Sequence, residues 1–304
     1  MLPRYAHRND VQLITRHFLY QIAGFMNKFK THLAQSINVN GKLIVFDKPQ
    51  LMGILNVTPD SFYDGGRHTT VGNAIQKSRQ LITEGADIID IGAFSSRPGA
   101  SLISSQEEMD RALPAIEAIR KEFPDILLSI DTFHADVAEE AVKSGIHIIN
   151  DVSGGTIDEN MFPTVARLQV PYVLMHMRGL PENMQHLTAY NDVVTDVAVF
   201  LGERVAALRA LGVKDIILDP GFGFAKTMEQ NYELLYRVNE LHYLGLPILG
   251  GISRKSMIYK KLGVTPNESL NATTALNTLL LERGVQILRI HDVKEAKQLI
   301  DLFY

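Results

Sequence analysis

Short apolar runs alternate with longer amphipathic stretches from residue 51 to the last residue. Each run is long enough for a strand that is buried on both faces. The stretch 191–211 shows helical spacing of its apolar residues most clearly, and Gly212 follows it as a terminating glycine. The pattern therefore predicts eight strand–helix units. The predicted strands are residues 51–55, 87–91, 126–130, 146–149, 171–175, 215–218, 246–249 and 286–290.

The number of these units indicates the fold class. Eight strand–helix units within roughly 250 residues are the content of a (β/α)8 TIM barrel. A doubly wound open sheet is the alternative, but such sheets seldom contain eight units of even length. The sequence shows no repeat of fixed period, and no linker divides residues 50–304 into two domains. We therefore predict one α/β domain, a TIM barrel over residues 37–304.

The first part of the chain predicts two additional elements. Asn40-Gly41 separates the short apolar runs 37–39 and 43–46, which is the signature of a tight β-hairpin. Residues 10–35 are moderately amphipathic with helical spacing. We predict a hairpin at the entry to the barrel, preceded by a helical extension over residues 1–36 that is peripheral or partly ordered.

Composition excludes several classes of protein. The 304 residues include no cysteine, so disulfides, thiolate catalysis and cysteine-ligated metals are excluded. A net charge of −4 gives no reason to expect nucleic acid or an anionic membrane as a partner. No apolar run approaches the roughly 20 residues of a membrane-spanning helix. The N-terminal residues lack the apolar segment of a secretion signal, and we expect a cytoplasmic protein.

A polar or charged side chain stands at the carboxyl end of every predicted strand. Barrel enzymes build their sites at these ends. Any single polar residue there can be explained as a helix cap, but capping does not explain all eight positions with four cations among them. We therefore place the site in the mouth of the barrel. The residues are Asn56, Ser95, Ser96, Arg97, Asp131, Asn150, Asp151, His176, Asp219, Ser253, Arg254, Lys255, Arg289 and His291.

These side chains fall into two chemical groups. One group accepts hydrogen bonds and suits either a cation or a planar heterocycle with an N–C–N edge, because a carboxylate can accept two parallel N–H bonds. The other group consists of cationic donors that suit a phosphate. The acceptors are Asp131, Asn150 and Asp219. The donors are Arg97, Lys255, Arg289 and His291.

Other residues near the strand ends have weaker signals. Met175 and Phe222 offer apolar faces for a flat ring, whereas for Phe224 we favour core packing. Lys226 lacks the spacing of a phosphate-binding loop, and we interpret it as a solvated lysine at the start of a helix. Two long irregular segments predict lids or binding loops. They are residues 56–70 and 93–104.

Seven sequence blocks in order resemble the dihydropteroate synthase family over residues 37–304. The blocks are MGILNVTPDSFYDGG, DIIDIGAFSSRPG, SIDTF, INDVSGG, DPGFGFAK, GGISRKSMI and LRIHDV. The resemblance implies a TIM barrel in which 4-aminobenzoate displaces diphosphate from (7,8-dihydropterin-6-yl)methyl diphosphate to give 7,8-dihydropteroate. It also implies Mg²⁺ bound with the diphosphate, small-molecule substrates and a homodimer.

The resemblance implies a role for particular residues of this chain. The pterin residues would be Asp131, Asn150, Met175, Asp219, Phe222 and Lys255. The diphosphate residues would be Asn56, Arg97, Arg289 and His291, with Asn56 also on the metal. The aminobenzoate residues would be Pro59, Ser96, Phe222 and Ser256. The catalytic set would be Asn56, Arg97, Lys255, Arg289 and His291.

The chain departs from the family pattern at residues 94–96, where Phe-Ser-Ser replaces the more frequent Glu-Ser-Thr. This departure supports one alternative, a relative that binds pterin without synthesis. A second alternative is a pterin-binding methyltransferase domain that works with a corrinoid. That domain should lack a diphosphate site, so the four cationic donors argue against it.

Overall fold

The computed structural model describes residues 35–58, 67–94, 103–180 and 182–304, without the side chains of residues 67–70. Ten strands in this part of the chain are labelled in chain order. They are β1 Ser36–Val39, β2 Lys42–Val45, β3 Gln50–Asn56, β4 Ile88–Gly92, β5 Leu127–Asp131, β6 Ile148–Asp151, β7 Tyr172–Met175, β8 Ile216–Asp219, β9 Leu249–Gly250 and β10 Ile287–Ile290.

The α-helices of the described residues follow the barrel strands. They are α1 Arg67–Glu84, α2 Ser105–Glu122, α3 Ala135–Lys143, α4 Met161–Leu168, α5 Val193–Ala210, α6 Met228–Arg237, α7 Ser256–Leu262, α8 Leu270–Glu282 and α9 Val293–Phe303. Helix α5 confirms the helix predicted over 191–211. It begins after Asp192, whose carboxylate accepts from Thr195 N at 2.7 Å, and Gly212 follows it with φ of 87°.

Strands β3 to β10 form a parallel barrel and confirm the predicted fold class. The order of pairing is β8-β7-β6-β5-β4-β3-β10-β9. A parallel bridge between Leu218 and Ile248 joins the two ends of this sheet. Strand β9 is shorter than the predicted run because Pro247 has no N–H to donate, although its carbonyl accepts from Leu218 N at 2.8 Å.

The two faces of the barrel strands have different neighbours. Outward-facing residues such as Leu51, Ile89 and Ile149 belong to the large apolar core shared with the helices. Inward-facing residues such as Met52 form a second apolar cluster with residues of the hairpin. Because side chains alternate along a strand, the same inward face presents polar residues nearer the carboxyl ends. The barrel is therefore apolar at one end and polar at the other.

The hairpin of β1 and β2 confirms the prediction from Asn40-Gly41 and closes the apolar end of the barrel. Both turn residues have positive φ, 50° and 83°, as a type I′ turn requires. Ile37, Val39 and Phe46 are buried against the inward-facing strand residues. Because the hairpin covers this end, the polar end is where the described residues can hold a ligand.

Two predictions concern the chain as a whole: the N-terminal extension and the absence of a membrane-spanning helix. Residues 1–34 lie outside the described residues, so the helical extension and its boundary at residue 36 stay predictions. Among the described residues, no helix has the length and apolar character needed to cross a membrane.

Candidate active site

The strand register brings three predicted site residues to one side of the barrel mouth. Asn56 is paired with Gly92, Gly92 with Asp131, and Asp131 with Asn150. Gly92 leaves room between its neighbours, since a Cβ there would lie 3.4 Å from Asn56 Oδ1 and 3.8 Å from Asp131 Oδ2. An amide and a carboxylate therefore line the same gap in the mouth.

The opposite side of the mouth carries Met175 and Asp219, which are paired at the ends of β7 and β8. Asp219 is buried, and its Oδ1 accepts from Gly221 N at 2.7 Å. Burial raises the pKa of Asp219 above its ordinary value, and the charge of Lys255 opposes that rise. Asp219 is thus a buried carboxyl group within electrostatic range of a cation.

Arg289 crosses the mouth from β10 and connects two carboxylates. It donates from Nε to Asp90 Oδ2 and from Nη2 to Asp131 Oδ2, each at 2.7 Å. Asn150 Nδ2 also donates to Asp90 Oδ2, at 3.0 Å. The four side chains form one network, in which Arg289, a predicted diphosphate residue, contacts Asp131 directly and is linked to Asn150 through Asp90.

Asp90 was missed by the sequence analysis, although it is fully buried at the centre of this network. The available signal was a single carboxylate inside the apolar run DIIDI, two residues from Ile88 and therefore on the same inward face. Asp90 lies in the middle of β4, where it restrains Arg289 and Asn150. That position explains why a search of strand ends did not find it.

Two carboxylate oxygens in the network have no hydrogen-bond partner among the described residues. They are Asp90 Oδ1 and Asp131 Oδ1. Burial raises the pKa of Asp131 to about 7, and Arg289 opposes that rise. Buried acceptors without partners are unfavourable and rare, which is consistent with a ligand that supplies donors.

Lys255 contacts the loop that follows β8. Its Nζ donates to the Phe222 carbonyl and lies 4.8 Å from the centroid of the Phe224 ring. Burial lowers the pKa of Lys255 to about 8, and Asp219 opposes that change. The preceding residue, Arg254, has φ of 53° and donates to both carboxylate oxygens of Asp292, at 2.6 and 2.9 Å. This ion pair holds the backbone that presents Lys255.

His291 is oriented by Ser253, which lies in the loop after β9. The Ser253 hydroxyl accepts from His291 N at 3.1 Å and lies 3.0 Å from His291 Nδ1. Because Oγ accepts from the backbone, its own proton can be donated to Nδ1, which directs Nε2 away from Ser253. Ser256 begins α7 directly after Lys255 and is half-buried.

Asp151 and His176 were predicted as site residues, but their side-chain contacts lie away from the mouth. Asp151 alternates with Asn150 and faces the helices, where it accepts from Tyr172 Oη at 2.6 Å and from Ser153 N at 2.7 Å. His176 is fully buried, and its Nδ1 lies 3.0 Å from Lys226 Nζ. Both residues fix loops rather than line the gap.

The structure tests the interpretations of three residues in the loop after β8, namely Phe222, Phe224 and Lys226. Phe224 packs in a buried apolar cluster, which confirms core packing. The Phe222 ring is fully buried in the large core, so only its carbonyl is seen to contact a site residue. The interpretation of Lys226 as a solvated lysine is wrong, because its exposed fraction is 7% and its Nζ donates to backbone carbonyls of its own loop.

Four predicted site residues and most of both predicted binding loops lie outside the described residues. They are Pro59, Ser95, Ser96 and Arg97, with loop residues 59–66 and 95–102. Their assigned roles stay predictions.

Comparisons with known proteins match this chain to one family. The family model described as pterin binding enzyme matches residues 52–291. The dihydropteroate synthase of Escherichia coli strain K12 is 42% identical over 258 residues, 84% of this chain and 91% of that protein. The chain belongs to the dihydropteroate synthase family. The Streptococcus pyogenes serotype M3 dihydropteroate synthase is 44% identical over 264 residues, 86% of this chain and 96% of that protein.

Solved structures of dihydropteroate synthases agree with this fold. The Yersinia pestis enzyme in a sulfonamide drug complex superimposes with a TM-score of 0.83 at 40% identity, covering 88% of this chain and 98% of that one. The Xanthomonas albilineans enzyme with 4-aminobenzoic acid gives 0.82 at 39% identity, covering 89% and 97%. The same enzyme with 7,8-dihydropteroate gives 0.79 at 37% identity, covering 88% and 97%.

Proposed function

We propose that this transferase of the dihydropteroate synthase family condenses (7,8-dihydropterin-6-yl)methyl diphosphate with 4-aminobenzoate, releasing diphosphate and 7,8-dihydropteroate. The observation that carries the proposal is the network in the mouth, where Arg289 joins Asp90 and Asp131. A ligand with a donor-rich ring and an anionic tail matches a site whose acceptors and cations are neighbours.

The pterin ring binds to the acceptors of the mouth. Ionised Asp219 accepts from the ring's N–C–N edge through two parallel N–H bonds, an arrangement that fixes the plane of the ring. Asp131 and Asn150 contribute further contacts, and Asp131 Oδ1 is an acceptor without a partner among the described side chains. Met175 provides a polarisable surface for the ring face, and Lys255 donates to ring acceptors.

The diphosphate binds to the donors. Arg289 uses one N–H on Nε and one on Nη2 for the two carboxylates, which leaves three of its five N–H groups for phosphate oxygens. His291 Nε2, directed by Ser253, supplies another donor. Arg97 is assigned to the same role from the sequence. These donors stabilise the negative charge that develops on the leaving diphosphate.

A magnesium ion fits the donor set without a cage of protein ligands. The described residues contain no group of three His, Asp or Glu side chains that could hold a metal. Mg²⁺ is usually bound by one or two protein oxygens together with substrate phosphates and water. Asn56 supplies an amide oxygen at the gap beside Gly92, and bound Mg²⁺ would neutralise charge on the diphosphate.

Departure of the diphosphate precedes attack by the amine in this mechanism. The electron-rich dihydropterin stabilises the carbon that remains, so the protein's main contribution is charge stabilisation and positioning. We assign Pro59, Ser96 and Ser256 to the 4-aminobenzoate, but not Phe222, because its ring is fully buried in the core. The weakly basic aromatic amine needs orientation more than deprotonation, and we assign no general base.

The test is the formation of product from the two defined substrates. We expect diphosphate release that requires 4-aminobenzoate and Mg²⁺, with dihydropteroate formed in equal amount. Lys255→Met should lose most of this activity, whereas Lys214→Met, an exposed lysine before β8, should retain it. Pterin binding without diphosphate release would favour the non-catalytic alternative, and methyl transfer to a corrinoid would favour the other.

Two further parts of the proposal concern the whole protein. We infer a cytoplasmic homodimer. Light scattering should give a mass about twice the 33.9 kDa of one chain, and a mass of one chain at assay concentration would contradict the dimer.

A further inference from the structure

Lys226 lies in the loop between β8 and α6, and the reaction described above gives it no role. We propose that Lys226 is a positioning residue, whose ammonium group ties the loops after β7 and β8 together and so sets the positions of Asp219 and Lys255. The inference rests on the assignment of those two residues to the pterin pocket.

Lys226 is surrounded by acceptors. Its Nζ donates to the Gly221 carbonyl at 2.8 Å and the Phe224 carbonyl at 3.1 Å, and lies 3.0 Å from His176 Nδ1. These three acceptors match the three N–H groups of a protonated lysine. Burial lowers the pKa of Lys226 well below its ordinary value, and the charge of Asp219 opposes this change. The full set of acceptors favours the charged form.

The acceptor role of His176 follows from its own surroundings. Burial and the nearby charge of Lys226 lower the pKa of His176 to about 2, so the imidazole is neutral. Nδ1 accepts from Lys226, which places the ring proton on Nε2. The Phe200 ring packs against the imidazole with centroids 4.8 Å apart, and His176 N donates to the Asp219 carbonyl at 3.0 Å. Lys226 is therefore anchored to the end of β7.

The loop held by Lys226 contacts Asp219 directly. Gly221 has φ of 70°, and a Cβ there would lie 2.0 Å from the His176 carbonyl oxygen, so the backbone is tightly packed at this point. The Gly221 N–H that results is directed at Asp219 Oδ1, 2.7 Å away. Lys226 holds the carbonyl of the same glycine. That carbonyl belongs to the peptide group after the donor, joined to it at the Gly221 Cα, so displacement of the glycine would move the N–H away from the carboxylate.

The same loop contacts Lys255. The Phe222 carbonyl accepts from Lys255 Nζ, and the Phe224 ring lies 4.8 Å from that atom. Lys226 binds the carbonyls of residues on both sides of Phe222. A single buried cation therefore restrains the part of the loop that determines where the Lys255 ammonium lies.

The charge of Lys226 also acts on Asp219. The cations that face Asp219 are Lys226 in its own loop, Lys255 after β9 and Arg289 on β10, and all three lower its pKa, whereas burial raises it. Asp131 on β5 faces Lys255, and the histidine after β7 is neutral. Loss of the Lys226 charge should therefore raise the pH at which Asp219 becomes protonated.

The test compares Lys226→Met with wild-type protein by calorimetric titration of 6-hydroxymethyl-7,8-dihydropterin, which lacks the diphosphate, from about pH 5 to about pH 9. We expect the Kd near neutral pH to rise at least about tenfold. The midpoint at which binding is lost on acidification should move to higher pH. The ligand's own titration is common to both proteins. Lys214→Met should bind within about twofold of wild type.

A second pair of variants keeps Lys226 itself. His176→Asn retains an acceptor for the ammonium group, whereas His176→Leu removes it. We expect His176→Leu to weaken pterin binding about as much as Lys226→Met, and His176→Asn to restore most of the affinity. If Lys226→Met does not fold, this pair decides the matter, and equal affinities for the two variants overturn the inference.

The outcomes separate this inference from the proposed function. If wild-type protein does not bind the dihydropterin, the proposed function fails and the inference fails with it. If wild-type protein binds and Lys226→Met binds equally well, only the inference is overturned. If Lys226→Met binds more weakly but the pH midpoint at which binding is lost does not move, the change affects packing alone. That result also overturns the inference.

Discussion

Replacement of Arg289 by methionine should destabilise the fold in a pH-dependent way. Arg289 donates charge-assisted hydrogen bonds of 2.7 Å to Asp90 and to Asp131. Hydrogen bonds of this kind are worth about 1.5–3 kcal/mol each, and breaking a buried ion pair costs about 3–5 kcal/mol. The Arg289 side chain is 18% exposed, so we take the lower end, about 3 kcal/mol in the free energy of unfolding.

The sign of the pH dependence follows from Asp131. Burial raises its pKa to about 7, above the value of 3.8 for an unburied carboxyl, and Arg289 opposes the rise. A carboxyl whose pKa is higher in the folded chain takes up a proton on folding, so stability falls as the pH rises between the two values. Without Arg289 the folded pKa rises further, and the loss extends above about pH 7.

The assay is thermal unfolding of wild type, Arg289→Met and Arg209→Met, an exposed control on α5. We expect Arg289→Met to lower Tm by about 6–12 °C near pH 8, because 1 kcal/mol corresponds to about 2–4 °C in a domain of this size. The difference should shrink near pH 5, where Asp131 is protonated in both proteins. A difference in Tm that does not vary with pH would refute the reasoning.

Three further predictions concern single residues of the site. Asp219→Asn should weaken dihydropterin binding by about 2 kcal/mol, or about thirtyfold, because it removes a buried charge-assisted contact; an unchanged calorimetric Kd would contradict the pocket assignment. His291→Leu should reduce kcat by about a hundredfold while the affinity for the diphosphate-free pterin stays unchanged, and an equal loss of both would argue against a diphosphate role. Gly221→Ala should lower the free energy of unfolding by about 2 kcal/mol in urea, because a Cβ cannot fit beside the His176 carbonyl; a wild-type midpoint would contradict this.

The hydrophobic pattern was sufficient for the fold. A parallel barrel strand is buried on both faces, so its sequence is a continuous apolar run that ends in polar residues. Asn40-Gly41 specified the hairpin because both residues tolerate positive φ. The strand ends then placed Asp131, Asn150 and Asp219 in one mouth, since parallel strands of a barrel end at the same side.

Because side chains alternate along a strand, two neighbouring residues that look equivalent in the sequence can face opposite sides of the barrel wall. Asn150 and Asp151 both end β6, yet one donates to Asp90 and the other accepts from Tyr172 on the outer face. Residue type and position suggested that either could serve the site. Which of the two faces the interior depends on the register of β6 against β5 and β7.

What the sequence by itself determined is the number of strands, the end of the barrel at which the chemistry lies and the family. Only the tertiary structure decided the partners of the buried charges. Asp90 lies within an apolar run, and Lys226 looks like a surface residue, yet both are buried in contacts with groups from other strand ends. Such contacts join residues far apart in the chain, so no local pattern records them, and burial alone changes a solvated charge into one that must be satisfied.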